Sequence, residues 1–382
     1  MAGLYIHIPF CVKRCTYCDF YSDTCLENKE AYIDALLREM EGRRDDWQGE
    51  TFNTIYFGGG TPSLLQPGEL KKILAGVNSR FSVASHPEIT LEANPDDLSG
   101  DHLTSLTSLA INRISIGIQS LDDGELRLLR RRHTAHEAID AVLRCKEAGL
   151  TNISIDLIFG LPEQAMEVWT RTIDKAIDLD VAHISAYNLT YEEGTAIYRM
   201  KQNNEINPVD DDVCAQLYDT LTTKLTGAGF VHYEISNFAR RSVDHPSGRI
   251  SLHNASYWDG THYLGLGPSA HSYNGTSRSW NVSSIRAYID AMRDPTKCCY
   301  ETEHLDERAR YNDFVVTRMR TMWGVSLDEL RRTFGKARES YFLEKAERYI
   351  SIKKLKKQGG YVKVLPDFFF ISDAIIRELI VL

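Results

Sequence analysis

Apolar and polar positions alternate along the first half of the chain between short β-branched runs and longer amphipathic stretches. The runs Leu4–Pro9, Thr54–Phe57, Glu88–Glu92, Arg113–Ile118, Asn152–Ile158 and His183–Asn188 read as strands. Most are nearly continuous in apolar character, the pattern of parallel strands covered on both faces. Between them the spacing predicts helices. In Glu30–Glu41, Tyr32, Ile33, Leu36, Leu37 and Met40 fall on one stripe. In His136–Ala148 the stripe is Ile139, Val142 and Leu143, and Gly149 follows as a stop. Parallel strands need helical crossovers, so six β–α units predict an α/β fold with a partial (β/α)6 barrel over 1–205. An open doubly wound sheet fits the same pattern.

The pattern changes after residue 205. Asn203–Asp212 is polar, contains Pro208 and reads as a linker. Val213–Leu225 is amphipathic, and polar, glycine-rich and aromatic segments follow, so 206–300 reads as an extension of the barrel unit. The remainder, 301–382, is helical from Asp306 and ends in Gly359-Gly360 with strand-like runs Tyr361–Leu365 and Phe368–Ile371. Helices followed by a hairpin predict a small α+β, winged-helix-like domain.

Composition narrows the function classes. Of 382 residues, 43% are hydrophobic, enough for a sizeable core. A net charge of −9 argues against a general nucleic-acid binder, which needs a basic surface to displace counterions. No stretch approaches the roughly 20 apolar residues that span a bilayer. Met1–Phe10 lacks the basic start, apolar run and cleavage site of a signal peptide, so a cytoplasmic protein is expected.

Cysteine usage carries the chemistry. Cys11, Cys15 and Cys18 cluster as C-x₃-C-x₂-C, whereas Cys25, Cys145, Cys214, Cys298 and Cys299 show no framework spacing. In a reducing compartment a tight cluster more often means metal than disulfide. Three soft thiolates suit three corners of a [4Fe–4S] cubane and leave one iron open. A structural zinc site completed by His7, or three unrelated buried cysteines, fits the same residues. The second strand runs into Phe57-Gly58-Gly59-Gly60-Thr61-Pro62, where glycines let backbone approach a ligand. Glu92, Gln119 and Asp156 lie at or just beyond the ends of strands three, four and five, the edge that carries function in barrels. A lone polar residue there is as often a helix cap.

The cysteine pattern on a loop after the first strand resembles the radical S-adenosylmethionine (SAM) superfamily signature. Leu4–Cys11, Gly58–Pro62, Gly117-Ile118-Gln119-Ser120, Arg131-Arg132-His133 and Asp156–Pro162 together resemble the oxygen-independent coproporphyrinogen III oxidase-like group. Within that group the chain is most similar to the heme chaperone branch, HemW. The oxidase branch has a further cysteine two residues after the triad, where this chain has Phe20. The oxidase branch also has a longer N-terminal extension than the ten residues that precede Cys11 here. His253-Asn254-Ala255-Ser256-Tyr257-Trp258 matches the H-N-x-x-Y-W motif of the chaperones.

The resemblance implies a [4Fe–4S] cluster on Cys11, Cys15 and Cys18, with SAM on the open iron. It implies SAM contacts from Tyr5, Gly58, Gly59, Thr61, Glu92, Gln119, Arg131, Asp156 and Ala186. Gly265–His271 resembles a further loop beside the SAM site, without a role for His271. The implied function is a heme chaperone that hands heme to apo-hemoproteins or a membrane-bound respiratory enzyme, with cluster and SAM regulating transfer or formation of a homodimer. The rival is an anaerobic coproporphyrinogen III oxidase or a related tetrapyrrole-modifying enzyme. His253 is a candidate heme ligand, with Tyr257 and Trp258 against the porphyrin. Its polar neighbours Ser251 and Asp259 suggest an exposed loop. The alternative is a capping histidine beside a core aromatic pair.

Overall fold

A computed structural model describes residues 1–294 and 297–381. Six strands, β1 (Ala2–Ile8), β2 (Thr51–Gly59), β3 (Ser82–Ala93), β4 (Arg113–Gln119), β5 (Ile153–Phe159) and β6 (His183–Asn188), pair in parallel in chain order. Helices Lys29–Arg43, Pro67–Arg80, Gly100–Ser108, Ala135–Glu147 and Met166–Asp178 connect them.

Later strands extend both edges of this sheet to twelve strands. β7 (Phe230–His232) and β8 (Asn237–Arg240) continue antiparallel beyond β6. At the other edge β9 (His262–Leu266) pairs in parallel with β1, and β10 (His271–Tyr273), β11 (Ser277–Asn281) and β12 (Tyr300–His304) follow antiparallel. Tyr5 of β1 and Tyr187 of β6, five strands apart, line one cavity. The sheet is therefore curled into a partial barrel, which decides against an open doubly wound sheet.

The strands are not apolar on both faces, as their sequence suggested. Ile114, Ile116 and Ile118 of β4 are fully buried under the helices, whereas Arg113, Ser115, Gly117 and Gln119 alternate onto the inner face. β5 repeats this, with Ile153, Ile155 and Leu157 outside and Ser154 and Asp156 inside. Cross-strand bonds join the inner residues: Ser115 donates to Asp156 at 3.3 Å, and Ser154 meets His183 Nδ1 at 2.8 Å. The polar face is the barrel's lumen.

The C-terminal domain packs the helix Glu307–Met319 and the helical stretch Leu327–Ser351, broken at Gly335 (φ +81°), beside a three-stranded sheet of β13 (Val325–Ser326), β14 (Leu355–Gln358) and β15 (Tyr361–Val364). Its hairpin differs from the expected one. Gly359-Gly360 is the turn between β14 and β15, and Phe368–Ile371 is not a strand. Pro366 opens a 3₁₀ turn there and cannot donate to a ladder, while Phe369 buries into the core. β14 escaped notice because Leu-Lys-Lys-Gln is a charged edge strand. Among the described residues no helix is long and apolar enough to cross a membrane.

Candidate functional site: a thiol cavity beside an aromatic cavity

The loop after β1 is pinned by backbone bonds rather than by regular structure. Cys11 N–H donates to Asp23 O at 3.0 Å, Asp23 N–H returns to Pro9 O at 2.6 Å, and Thr16 N–H reaches Leu129 O at 3.3 Å. This brings Cys11, Cys15 and Cys18 to one wall of a cavity of about 480 Å³. Gly59, Thr61, Glu92, Gln119, Arg131 and Asp156 line the same cavity. It sits at the C-terminal ends of the parallel strands.

The thiols suit an iron–sulfur cluster. Burial raises the pKa of Cys11 and pushes that of Cys18 up to about 11, so both are protonated as free thiols. Iron takes the thiolate instead. Arg131 supplies the countering cation: its Nη1 lies 3.2 Å from Cys15 Sγ, while Nη2 donates to Asn94 Oδ1 and Gly117 O, each at 2.6 Å. Arg131 Nε is buried without a partner among the described residues. Among the described residues the cavity wall carries no fourth cysteine, which leaves one corner of a cubane for another ligand. His7, the candidate fourth zinc ligand, is turned elsewhere. Its Nδ1 lies 3.1 Å from Tyr5 Oη and its Nε2 2.9 Å from Tyr21 O, and it lines a different cavity.

The glycine turn meets Glu92 across the cavity floor. Gly59 has φ +111°, and a Cβ there would lie 2.6 Å from the His7 ring, so only glycine fits. Its N–H donates to Glu92 Oε2 at 3.1 Å, and Tyr56 Oη donates to Oε1 at 2.8 Å. Burial, with a lesser contribution from Asp156, pushes the Glu92 pKa up to about 7. Burial also raises that of Asp156. Gln119 ends β4 at φ +71°, where the pairing with β5 skips a residue. A non-glycine residue in this region is the kind of local strain that collects at ligand sites.

The Glu92 carboxyl gives a pH prediction. The resemblance implies that Glu92 faces the ammonium group of SAM, and a carboxylate there must be ionised to attract it. Since the folded pKa is raised, SAM affinity should rise from about pH 6 to about pH 8, by up to about tenfold per unit below the pKa, then level off. In the ligand-free chain the sign for stability is opposite. The fold holds this proton tightly, so stability falls as pH rises from the ordinary 4.5 towards 7. Equilibrium SAM binding by calorimetry checks this, and Glu92→Gln should bind weakly with a flat profile. A sloped profile in that variant would place the titration on another group.

A second cavity, about 760 Å³, adjoins the first, and Asp19, Phe20, Gly59, Glu92 and Tyr187 line both. Tyr5, Tyr56, Tyr257, Trp258 and Tyr263 give it aromatic walls. Tyr5 lies on this side, and Gly58 packs between Tyr5, Tyr56 and Glu92. Ala186 lines neither cavity. It is buried on the outer, helix-covered face, and its N–H is taken by Ser236 O at 2.8 Å.

His253 is not on an exposed loop. It lies in the helix Leu252–Asp259, capped by Ser251 Oγ and ended by Gly260, and only 1% of it is exposed. Ser251 and Asp259 are the polar ends of a helix, which from sequence look like loop residues. The ring stacks 4.9 Å from Tyr56; Nδ1 lies 2.7 Å from Thr54 Oγ1 and Nε2 2.9 Å from Tyr257 Oη. Burial pushes its pKa down to about 3.

Three residues of the site went unnoticed in the sequence. Asn94 and Tyr56 orient Arg131 and Glu92, and Arg113 is fully buried in the lumen with its three guanidinium nitrogens unpaired among the described residues. The period-2 parity that links Asn94 to Glu92, Tyr56 to Gly58 and Arg113 to Ser115 was the available signal.

Comparison with known proteins agrees with this geometry. A family model described as the Radical SAM superfamily matches residues 5–176. The heme chaperone HemW of Mycobacterium tuberculosis is 33% identical over 382 residues, covering 99% of this chain and 94% of the relative. The heme chaperone HemW of Bacillus subtilis is 33% identical over 344 residues, 90% and 89% of the two chains. Among solved structures, coproporphyrinogen III oxidase (HemN) from Escherichia coli superposes with a TM-score of 0.82 at 21% identity, covering 99% of this chain and 89% of that one, and so shares the fold. The chain belongs to the radical SAM superfamily and, within it, to the HemW family.

Proposed function

We propose that this chain is a cytoplasmic heme chaperone, which takes heme into the aromatic cavity and passes it to apo-hemoproteins, membrane-bound respiratory enzymes among them. The observation that carries this reading is the position of the motif helix: His253, Tyr257 and Trp258 belong to a wall of the 760 Å³ cavity, and that cavity adjoins the one holding the thiols. Its volume lies within the roughly 300–1,000 Å³ of cofactor sites. Its tyrosines and tryptophan offer flat apolar faces with polar tips, which suits a porphyrin that must enter and leave.

In this reading Cys11, Cys15 and Cys18 hold a [4Fe–4S] cluster, with Arg131 beside Cys15. Glu92 and the Gly59 turn hold SAM, aided by Thr61, Gln119 and Asp156. When bound, the cluster supplies a reducing iron with one open coordination position. The chain's own residues would orient SAM within the thiol cavity, whose wall at Asp19, Phe20, Gly59, Glu92 and Tyr187 is shared with the aromatic cavity. Phe20, 67% exposed, stands at that boundary where the oxidase branch has a cysteine.

Anaerobic reconstitution followed by heme titration, with and without SAM, tests the proposal. The expected result is about one heme per chain, with no conversion of coproporphyrinogen under reducing conditions. Multiple turnover of coproporphyrinogen to protoporphyrinogen would establish the oxidase reading instead.

A further inference from the structure

We infer that His271, rather than the motif histidine, ligates the heme iron. The inference rests on the heme-binding reading and names the ligand within that same cavity. An axial imidazole must present a ring nitrogen whose lone pair is free. Three histidines line the aromatic cavity: His7, His253 and His271. In His7 both ring nitrogens are engaged, by Tyr5 Oη and Tyr21 O. In His253 both are engaged, by Thr54 Oγ1 and Tyr257 Oη, and the ring is sealed against Tyr56. For either to reach iron, a buried hydrogen bond must break and leave an unpaired polar atom, at about 1–3 kcal/mol. The His271 ring is exposed into the cavity and hydrogen-bonds to none of the described residues. Burial of its inner part and the nearby Arg278 cation lower its pKa, so the imidazole is neutral at pH 7, the form that binds iron.

The backbone around His271 is built to hold it there. β9 and β10 cross so closely at Gly265 that a Cβ on that glycine would overlap the His271 carbonyl oxygen and lie 2.8 Å from its carbon and 2.9 Å from its nitrogen. Glycine is thus required opposite the histidine. Gly265 N–H donates to Ser272 Oγ at 2.9 Å, which locks the next residue of β10. On the far side His271 pairs with Trp280 of β11, and the rings lie 6.2 Å apart. Tyr263, on β9, continues the wall towards Tyr257, edge to face at 4.8 Å. A porphyrin ligated at His271 would face these aromatic rings, and the motif helix would shape the pocket without touching the iron. Such an edge ligand suits release better than a sealed one.

The test is heme titration of the reconstituted full chain, read by the Soret band, by the dissociation constant and by histidine-nitrogen hyperfine coupling in electron paramagnetic resonance. Wild type should show the coupling. His271→Ala should shift the Soret band and weaken binding at least about tenfold, with added imidazole restoring the spectrum. His262→Ala should behave as wild type, because His262 lies outside the cavity and is paired with Glu50 at 3.0 Å. Circular dichroism separates loss of ligand from loss of fold. An unchanged Soret band and affinity in His271→Ala, or no histidine coupling in wild-type heme, overturns the assignment and leaves the heme reading standing. A wild-type chain that takes up no heme brings down both.

Discussion

Replacing Cys11, Cys15 and Cys18 together by serine should take the iron of anaerobically reconstituted protein from about four atoms per chain to near zero, with loss of the cluster's visible absorption. Cys25→Ser should change neither. The contrast follows from position. The three cysteines share one wall of the cavity, and Cys25 lies outside it, with its N–H on Asp23 Oδ1 at 2.8 Å. Serine offers a hard oxygen that stays protonated near neutral pH, whereas the cluster needs soft thiolates. Each single replacement leaves two corners and should give partial, labile loading. Iron analysis with the absorption spectrum decides the matter. Full iron in the triple variant would refute the assignment, and one zinc with no visible absorption in the wild type would move it to a structural metal.

The second large effect is expected at Arg131. Its guanidinium spans Cys15 Sγ, Asn94 Oδ1 and Gly117 O, three groups from three separate segments of chain. Arg131→Ala removes the donor from two partly buried oxygens that line the cavity, at about 1 kcal/mol each. It also removes the cation beside a thiolate. The iron-free variant should therefore unfold more easily, by roughly 1–3 kcal/mol, and the loaded variant should lose its cluster faster on dilution. Arg131→Lys keeps the charge but lacks the planar fork, so it should recover cluster retention more than stability. Denaturant unfolding and timed iron release separate the two terms. Wild-type values for both in Arg131→Ala would mean that the contacts carry no weight.

The fold was readable where local signals agree. Five of the six parallel strands and the two helices at Lys29–Arg43 and Ala135–Glu147 begin and end within a few residues of their sequence patterns, whereas β3 starts at Ser82, six residues before its apolar run, because Ser82 and Val83 pair with Thr51 and Phe52 of β2. What the pattern hid was parity. In Arg113-Ile-Ser-Ile-Gly-Ile-Gln119 the isoleucines dominate an average hydropathy, and the polar inner face that makes the lumen is lost in it. The strands after residue 205 were unreadable for a different reason. β9 and β10 are short, aromatic and polar, and they exist because they pair with β1 and with each other, which is long-range information. Cys11, Cys15, Cys18, the glycine turn and the strand-end residues Glu92, Gln119 and Asp156 were legible as one cluster because their spacing and strand-end positions bring them to one cavity. The state of His253 was not. Ring burial and hydrogen-bond partners such as Thr54, 199 residues away, have no local trace.

The central claim, that heme held beside the thiol cavity is held for delivery, is tested most directly by transfer. Chain loaded with cluster, SAM and heme is mixed with an apo-globin, and appearance of the globin's heme spectrum is followed with time. Transfer should be faster than from free heme aggregates and saturable in the acceptor, with the chain returning to a form that takes up heme again. Heme that stays on the chain against excess acceptor, or is consumed in a reducing turnover, would contradict it.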